Sequence, residues 1–408
     1  MNKVKALIRN KVWIVSEIFH PEEVSTAYIM TCIAEKAAEN CDVHVICGPV
    51  GYDKLTTNSD SNKFEFTIHR VATPNFSKNS IVGRLFRLMI LSLGMFYKGV
   101  SSIKKDETVF IVTNPAFIIP LYALIKRLKH NKLIILVHDV FPENLIPAKI
   151  INSSQNIFYK TVKRIFDWSY KQANLLIVLG ADMYDVMRTK TKPDQSIEII
   201  ENWANIEDIK PDEFSTNPVI QKYDLVDKVV FTFAGNLGRV QGLEFLFNII
   251  KKVTNTRVHF LFIGGGALLD FFQAEVQRNG INSVTFTGHM DRREQNVFLN
   301  AAHFGLVTLS SELYGLGVPS KSYNIMASGK PILFIGNKQT EIARMVVKES
   351  CGYVFNEKEE TELLNFFNNL NSSHISLAAS MGQKARRVAE LKYSKSHILE
   401  KFKKLFNE

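Results

Sequence analysis

The chain has 408 residues, of which 46% are hydrophobic and 11% aromatic. This length suits two domains of about 200 residues each, and the composition argues against a disordered protein. The four cysteines, at positions 32, 41, 47 and 351, show no CxxC spacing, which argues against a zinc ribbon or a disulfide-rich secreted scaffold. The net charge of +10 favours an anionic partner, and without a zinc-finger or RNP motif we rank phosphorylated ligands and anionic lipid ahead of nucleic acid.

Short β-rich segments alternate with amphipathic stretches along the chain, which is typical of parallel sheets flanked by helices. In the first half, strands are predicted at 12–16, 43–47, 64–71, 108–113, 133–137, 174–179 and 197–201, with a helix at 26–39. In the second half, strands are predicted at 229–234, 259–263, 283–287, 305–309 and 331–335. The predicted fold class is therefore α/β, with two Rossmann-like domains whose mostly parallel sheets face each other across a cleft.

The polar segment 202–218, which carries two prolines, predicts a domain boundary. We expect an N-terminal domain over 1–205, a C-terminal domain over 206–390, and a closing helix in 391–408 that packs back on the first domain. Because ligands of doubly wound folds bind at the carboxyl ends of the strands, the cleft is the expected site.

No segment of the chain resembles a signal peptide or a membrane span. Lys3, Lys5, Arg9 and Lys11 interrupt the first residues, and no apolar run approaches the roughly 20 residues that a bilayer requires. The sequence therefore predicts a protein that is soluble or lies on a membrane surface.

Segment 80–105 predicts a long amphipathic helix with an apolar and a basic side. The apolar side comprises Ile81, Val82, Leu85, Phe86, Met89, Leu93 and Phe96, and the basic side Arg84, Arg87, Lys98 and Lys105. Such a helix either docks on an anionic membrane or turns its apolar side to the core. The residues alone leave both interpretations open.

Two glycine-rich turns follow predicted strands in the second half. Gly235, Asn236, Leu237 and Gly238 precede Arg239, and Gly264 and Gly265 end the next strand. Glycines in such turns let backbone N–H groups approach a phosphate, and an arginine adds a charge-assisted contact. A tight strand-to-helix turn with no ligand explains the same pattern.

The segment 315–331 combines a glycine loop, a proline, a hydroxyl group and a lysine in front of a short helix. Val318, Pro319, Ser320 and Lys321 lie where the predicted helix begins. A lysine and backbone amides at a helix start suit a departing diphosphate. A solvated surface lysine is the alternative.

Taken together, these motifs resemble the nucleotide-sugar domain of family 4 glycosyltransferases, which have the GT-B fold. The resemblance is strongest to the WbuB-like subgroup of O-antigen and capsule assembly. It extends to the first half of the chain at His20-Pro21-Glu22, at 138–143 and at 200–203. The C-terminal motifs that carry it are 235–238, 262–266, 286–288 ending in Gly288, 318–321 and 326–332.

The resemblance implies transfer of a sugar from a nucleoside diphosphate with retention of configuration and without a metal or other cofactor. No Asp-x-Asp pair is present to hold a cation, so Arg239 and Lys321 are expected to stabilise the diphosphate. The chain departs from the family pattern at two glutamate positions, where Leu316 and Asn324 stand instead. A family lysine is also missing near Gln241, and Lys321 is the expected substitute.

Further site residues are predicted from their positions after strands and from the resemblance. His138 and Asp139 end a buried strand and are expected to contact the donor sugar or the acceptor. Glu22 and Glu23 follow the first strand and are acceptor-side candidates. Glu341, at the start of a helix, either contacts the donor or caps that helix.

The resemblance thus implies a hexosyl- or N-acetylhexosaminyltransferase with an acceptor-binding domain over 1–205 and a nucleotide-sugar-binding domain over 206–390. Its donor is expected to be UDP-linked, its acceptor a polyprenyl-diphosphate-linked oligosaccharide, and its location the cytoplasmic face of the cell membrane. Two other classes stay open. A non-hydrolysing nucleotide-sugar epimerase shares the two-domain architecture but needs several acid/base groups around the sugar. A catalytically weak nucleotide-binding scaffold is compatible with the loss of both family glutamates.

Overall fold

A computed structural model of the chain describes residues 9–22, 24–51, 64–73, 81–151 and 153–407. These residues form two β-sheets with helices around them. Every strand pairing within the two sheets is parallel. The predicted α/β class with two Rossmann-like domains is confirmed.

The N-terminal domain contains a seven-stranded sheet of order β3-β2-β1-β4-β5-β6-β7. Its strands are β1 (Lys11–Ser16), β2 (Asp42–Cys47), β3 (Thr67–Arg70), β4 (Thr108–Val112), β5 (Lys132–Val137), β6 (Leu175–Val178) and β7 (Ser196–Ile199). Its helices are α1 (Ser25–Ala38), α2 (Ile81–Ser102), α3 (Ile118–Lys129), α4 (Ile157–Tyr170) and α5 (Ala181–Arg188).

The C-terminal domain contains a six-stranded sheet of order β10-β9-β8-β11-β12-β13. Its strands are β8 (Val229–Ala234), β9 (Val258–Ile263), β10 (Val284–Gly288), β11 (Phe304–Thr308), β12 (Ile332–Ile335) and β13 (Gly352–Phe355). The helices that follow the N-terminal domain are α6 (Pro218–Lys222), α7 (Leu243–Ile250), α8 (Leu269–Arg278), α9 (Gln295–Asn300), α10 (Lys321–Ala327), α11 (Glu341–Lys348), α12 (Glu360–Asn368), α13 (Ser372–Lys392) and α14 (Lys395–Asn407).

The central strands are buried on both faces, as near-continuous apolar runs in parallel sheets predict. In β5 every residue after Lys132 is buried, and β9 is buried throughout. The edge strands were harder to predict. Strand β3 begins only at Thr67, later than the predicted 64, and β13 was not predicted because its four residues are only half-buried and begin with a glycine.

The last helix, α14, leaves the C-terminal domain and packs against α1 of the N-terminal domain. The Phe402 and Phe406 rings meet the Phe110 ring of β4 edge-on at centroid distances of 6.1 and 5.4 Å. Lys36 and Lys403 form ion pairs across this contact with Glu400 and Glu39, respectively. The two domains are therefore joined by crossings of the chain both before the second domain and after it.

Direct hydrogen bonds hold the two domains together at the carboxyl ends of their sheets. The Val140 N–H group, after β5, donates to the Leu316 carbonyl of the second domain at 3.1 Å. The Asn205 N–H group donates to the Asn324 Oδ1 atom of α10 at 3.0 Å. These contacts define a cleft between the two sheets.

Candidate functional site

A pocket of about 790 Å³ lies in the cleft between the domains. Its C-terminal wall is made by the loops after β8, β9 and β10 and by the start of α10. Its N-terminal wall is made by the first turn of α1 and the crossing segment that contains Trp203. The predicted donor-side residues that line it are Gly235, Asn236, Gly264, Gly265, Val318, Pro319, Ser320, Lys321 and Asn324.

The glycine loops after β8 and β9 interlock through their backbones. The Gly235 N–H group donates to the Ile263 carbonyl at 2.9 Å, and the Leu237 N–H group donates to the Gly265 carbonyl at 2.8 Å. Gly264 has a φ of +128°, and a Cβ atom there would lie 2.2 Å from the Gly235 carbonyl oxygen. Only glycine permits this approach, so these loops form a tight backbone surface that also borders the pocket.

Lys321 lies at the pocket wall with its ammonium group on an aromatic ring. Its Nζ atom is 3.5 Å from the centroid of the buried Phe233 ring and 3.4 Å from the Gln241 Oε1 atom. Burial lowers the pKa of Lys321 to about 7. A desolvated ammonium group beside backbone loops is suited to an anionic ligand, because a ligand charge would favour its protonated form.

His138 and Asp139 lie deep in the cleft, where the two domains meet, but do not line the pocket. Burial lowers the pKa of His138 to about 4, so the ring is neutral at pH 7, and its Nε2 atom has no hydrogen-bond partner among the described residues. Asp139 is exposed to the open cleft. The protein around its carboxyl group still removes much of the water, and this desolvation raises its pKa to about 6. Both backbone N–H groups donate to the Thr113 Oγ1 atom at 3.1 Å.

Comparison with known proteins gives one relative that spans nearly the whole chain. The probable glycosyltransferase WbjE of Pseudomonas aeruginosa is 30% identical over 396 residues, which cover 96% of each protein. Residues 228–371 also match the family model described as glycosyl transferases group 1. The chain belongs to the group 1 glycosyltransferases.

Solved structures of GT-B glycosyltransferases share the fold of this group 1 glycosyltransferase. Anabaena Alr3699/HepE in complex with UDP-glucose has a TM-score of 0.71 and 16% identity, with 97% of this chain and 99% of that chain covered. WaaG, a glycosyltransferase involved in lipopolysaccharide biosynthesis, has a TM-score of 0.67 and 14% identity, with 97% and 99% covered. At these identities the likeness shows the fold, and the predicted GT-B architecture is confirmed.

Several predicted residues of the glycosyltransferase lie beside the pocket rather than in its lining. Arg239 is exposed at the start of a short 3₁₀ turn, and Gly238 is buried directly before it. The Leu237 side chain is fully buried in the C-terminal core, so only its backbone can take part in the loop surface. Gly288 supports the site indirectly, since its carbonyl accepts from the Gly264 N–H group at 2.8 Å.

The two positions that depart from the family glutamates have structural roles between the domains. Asn324 lines the pocket, and its Oδ1 atom accepts from the Asn205 backbone. Leu316 is buried, and its carbonyl accepts from Val140. Gln241 also lines the pocket, and its Oε1 atom accepts from the Lys321 ammonium group at 3.4 Å.

Glu341 also lies away from the pocket lining. Its Oε2 atom accepts from the Ala181 N–H group of α5 at 2.8 Å, so it caps a helix of the other domain. The sequence predicted a donor contact or a cap on its own helix. A partner far away in the sequence was not considered, because nothing local points to it.

The acceptor-side candidates are only partly described. Glu22 is buried, and its Oε1 atom accepts from the Gly51 N–H group at 2.7 Å; Glu23 lies outside the described residues. Sequence reasoning missed Glu17, which directly follows β1 and pairs with Arg87 of α2 at 3.1 Å. Burial raises the pKa of Glu17 to about 7, while Arg87 opposes this. The position of Glu17 directly after β1 was the feature of the sequence that could have identified it.

Two further residues of the pocket wall were not predicted. Tyr28 of α1 and Arg292 after β10 both line the pocket from opposite domains. The Arg292 guanidinium carbon lies 4.5 Å from the Tyr28 ring centroid. This cation–π contact closes one side of the pocket, and its distance in sequence hides it from pattern analysis.

The outer face of α2 exposes part of the predicted apolar side, namely Leu85, Phe86, Met89 and Leu93. Phe96 packs partly against the core, and the side chains of Ile81 and Val82 lie outside the described part. Helix α3 packs against both α2 and α4, and the three helices expose large apolar side chains, namely Leu85, Phe86, Met89, Leu93, Tyr97, Leu124, Leu128, Ile157, Phe158 and Ile165. The predicted basic side of α2 is not wholly exposed, because the Arg87 side chain turns inward and pairs with Glu17. The Arg84 side chain lies outside the described part, and no described helix is long and apolar enough to cross a bilayer.

Proposed function

We propose that the protein is a retaining, metal-independent glycosyltransferase of surface-polysaccharide assembly, similar to the WbuB-like subgroup. It transfers an N-acetylated hexose-type residue from a UDP-linked donor to a polyprenyl-diphosphate-linked acceptor in O-antigen or capsule biosynthesis. The observation that carries the proposal is the Lys321 ammonium group, held on the Phe233 ring at the edge of an interdomain pocket bordered by glycine loops.

The pocket suits a nucleotide sugar in size and chemistry. Its volume of about 790 Å³ lies within the range of about 300–1,000 Å³ that is common for small-molecule sites. The HepE structure named above contains UDP-glucose, which supports a UDP-linked donor here. Asn324 offers an amide to a hydroxyl group of the ligand where family members carry a glutamate.

In the proposed reaction, the bond between the sugar C1 atom and the diphosphate oxygen breaks as the acceptor hydroxyl forms a bond to C1 on the same face. The proton of that hydroxyl leaves with the diphosphate. Lys321 stabilises the charge that develops on the diphosphate, and Arg239 approaches it from the 3₁₀ turn. Neutral His138 and the Asp139 carboxyl orient the sugar and the acceptor at the domain junction, where His138 Nε2 has an unused hydrogen-bonding capacity.

The lipid-linked acceptor is supported by the exposed face of α2, α3 and α4. These helices carry no acidic residue except Asp167, which is paired with Lys163 and Lys190. Apolar side chains beside exposed cations such as Arg127 and Arg164 suit an anionic bilayer surface. We propose that the enzyme works on the inner face of the cell membrane, with the segment 80–105 and its two neighbouring helices at the lipid. WaaG, which shares the fold, is involved in lipopolysaccharide biosynthesis, and this supports the proposed pathway.

The test is a donor panel with a synthetic polyprenyl-diphosphate sugar as acceptor. Purified protein is incubated with UDP-, GDP- and dTDP-sugars, and released nucleoside diphosphate and glycosylated lipid are measured. We expect turnover with a UDP-N-acetylhexosamine. Lys321→Met should lower kcat/KM by about 100-fold or more, since it removes a cationic stabiliser. Lys358→Met, at an exposed loop position, is the matched control.

Three results would reject the proposal in different ways. Loss of sugar stereochemistry without an acceptor would indicate an epimerase. Tight UDP binding without turnover that persists in Lys321→Met would indicate a scaffold. Transfer to a soluble acceptor in preference to the lipid would reject the acceptor class alone.

A further inference from the structure

Helices α5 and α11 begin at the domain boundary, and neither is capped by a side chain at its own N-cap position. The N-cap residue of α5 is Gly180, and that of α11 is Thr340, which makes no side-chain capping hydrogen bond. The first N–H groups of a helix have no partner within the helix, so each start needs acceptors from elsewhere. The two helices belong to different domains, and each carries a carboxyl group close to the start of the other.

The first half of this exchange is made by Glu341, the first residue of α11. Its Oε2 atom accepts from the N–H group of Ala181, the first residue of α5, at 2.8 Å. A Cβ atom on Gly180 would lie 2.6 Å from the Glu341 Cβ and Cγ atoms. The glycine at this N-cap position therefore makes room for a side chain from the other domain.

The second half is made by Asp182, which is 1% exposed. Burial raises the pKa of Asp182. The backbone N–H groups of Glu341, Met183 and Gly315 lie near its carboxyl group and lower the pKa, because they favour the ionised form. Two of these three groups, those of Glu341 and Gly315, belong to the C-terminal domain. The Asp182 carboxyl group is thus stabilised by the start of α11 and by the loop that leads to α10.

The same contact reaches the pocket through that loop. Gly315 has a φ of +67°, and a Cβ atom there would meet Val186 and the Asp182 carbonyl at 2.4 and 2.6 Å. Directly after it, Leu316 accepts from Val140, next to Asp139. The loop then supplies the pocket residues 318–321. The α5–α11 contact therefore fixes the loop that carries Lys321 relative to the loop that carries His138.

We infer that Asp182 and Glu341 form a reciprocal cap between the domains, and that this cap positions the two halves of the glycosyltransferase site for transfer. The inference rests on the proposed function for its kinetic consequence. Both are positioning residues, because neither lines the pocket. The cap is distinct from the contacts that hold the nucleotide, which come mainly from loops of the C-terminal domain.

The charges around Glu341 oppose each other. Burial raises the pKa of Glu341, the hydrogen bond from Ala181 lowers it, Asp182 and Glu201 raise it, and Arg344 lowers it. The hydrogen bond to the start of α5 therefore favours the ionised carboxylate, whereas the neighbouring carboxyl groups disfavour it.

The test uses the full chain with Asp182→Ala, Glu341→Ala and the double variant. Asp182→Asn and Glu341→Gln serve as conservative rescues, because an amide oxygen still accepts from N–H groups. Glu362→Ala, an exposed acidic residue in the first turn of α12, is the matched control. Three quantities are measured: UDP affinity, kcat for transfer, and hydrogen exchange of the amides of Ala181, Gly315 and Glu341.

We expect the alanine variants to lower kcat at least tenfold, to change UDP affinity less than threefold, and to speed exchange of the three amides at least tenfold. The double variant should be no worse than the more damaging single variant, and both amide variants should recover most of kcat. Unchanged amide exchange, additive losses, or a loss of UDP affinity in step with kcat would overturn the inference. Because exchange needs no turnover, a failed transfer assay in the unmodified protein would reject only the proposed function.

Discussion

The Lys321 ammonium group lies on the Phe233 ring at the pocket, and burial lowers its pKa. Its pKa of about 7 means that the full positive charge is present below pH 7 and is lost as the pH rises through that value. A bound diphosphate would favour the protonated form. Ligand binding should therefore be coupled to proton uptake by this side chain.

We predict that the affinity for UDP falls as the pH is raised from 7 to 9, by up to about tenfold per pH unit, because each proton that must be taken up on binding contributes this slope. Lys321→Arg should abolish most of the slope, since a guanidinium group stays charged over this range. Calorimetric titration of both proteins with UDP at several pH values measures this pH dependence of the affinity. Equal slopes in both proteins would show that another group takes up the proton.

Some of the residues that line the pocket could be predicted from the sequence. The pocket-lining glycines, Val318, Pro319, Ser320 and Lys321 lie within a few residues of a strand end or a helix start, so local pattern places them. The partners of Glu341 and Arg87, which are Ala181 and Glu17, were not predicted because they are far away in the sequence. Such contacts depend on how the domains and layers pack, which periodicity does not encode.

At the scale of elements, α14 makes a larger contribution to the first domain than its length suggests. Phe402 is 2% exposed and contacts Phe110 edge-on, and Phe406 repeats the contact one turn later. The predicted helix in 391–408 was placed by its amphipathic pattern. Its position against α1 depends on residues that lie hundreds of positions earlier in the sequence.

We predict that Phe402→Ala lowers the free energy of unfolding by about 3–5 kcal/mol, the usual cost of removing a buried aromatic side chain. Leu391→Ala, at a position 63% exposed, should change it by less than about 0.5 kcal/mol. Urea unfolding followed by circular dichroism measures both. A small effect of Phe402→Ala would show that α14 is dispensable for the first domain.

The three-helix face of α2, α3 and α4 provides a second prediction at this scale. Leu93→Ser or Phe158→Ser should weaken binding to vesicles that contain anionic phospholipid by about fivefold or more, because each removes an exposed apolar group. Leu377→Ser, in a similarly exposed position of α13, should leave binding unchanged. Sedimentation with liposomes measures the partition. Equal binding by all four proteins would remove the membrane from the proposal.

At the scale of the whole molecule, the alternation of strands and helices was sufficient to predict two parallel sheets with a cleft between them. The edge strands of the two sheets were harder to predict, because β13 and the start of β3 lack the apolar runs of central strands. The sequence also predicted a ligand site in the cleft. It did not reveal that backbone N–H groups of the first domain, those of Val140 and Asn205, donate across the cleft to Leu316 and Asn324.

The return of α14 to the first domain has a consequence for synthesis. A ribosome makes the sheet with Phe110 early, but the rings of Phe402 and Phe406 that cover it emerge last. Between these two points the chain makes all six strands of the second sheet. The first domain therefore cannot cover the Phe110 side of its sheet until residues made after the second sheet have left the ribosome, and until then a chaperone can reach that surface.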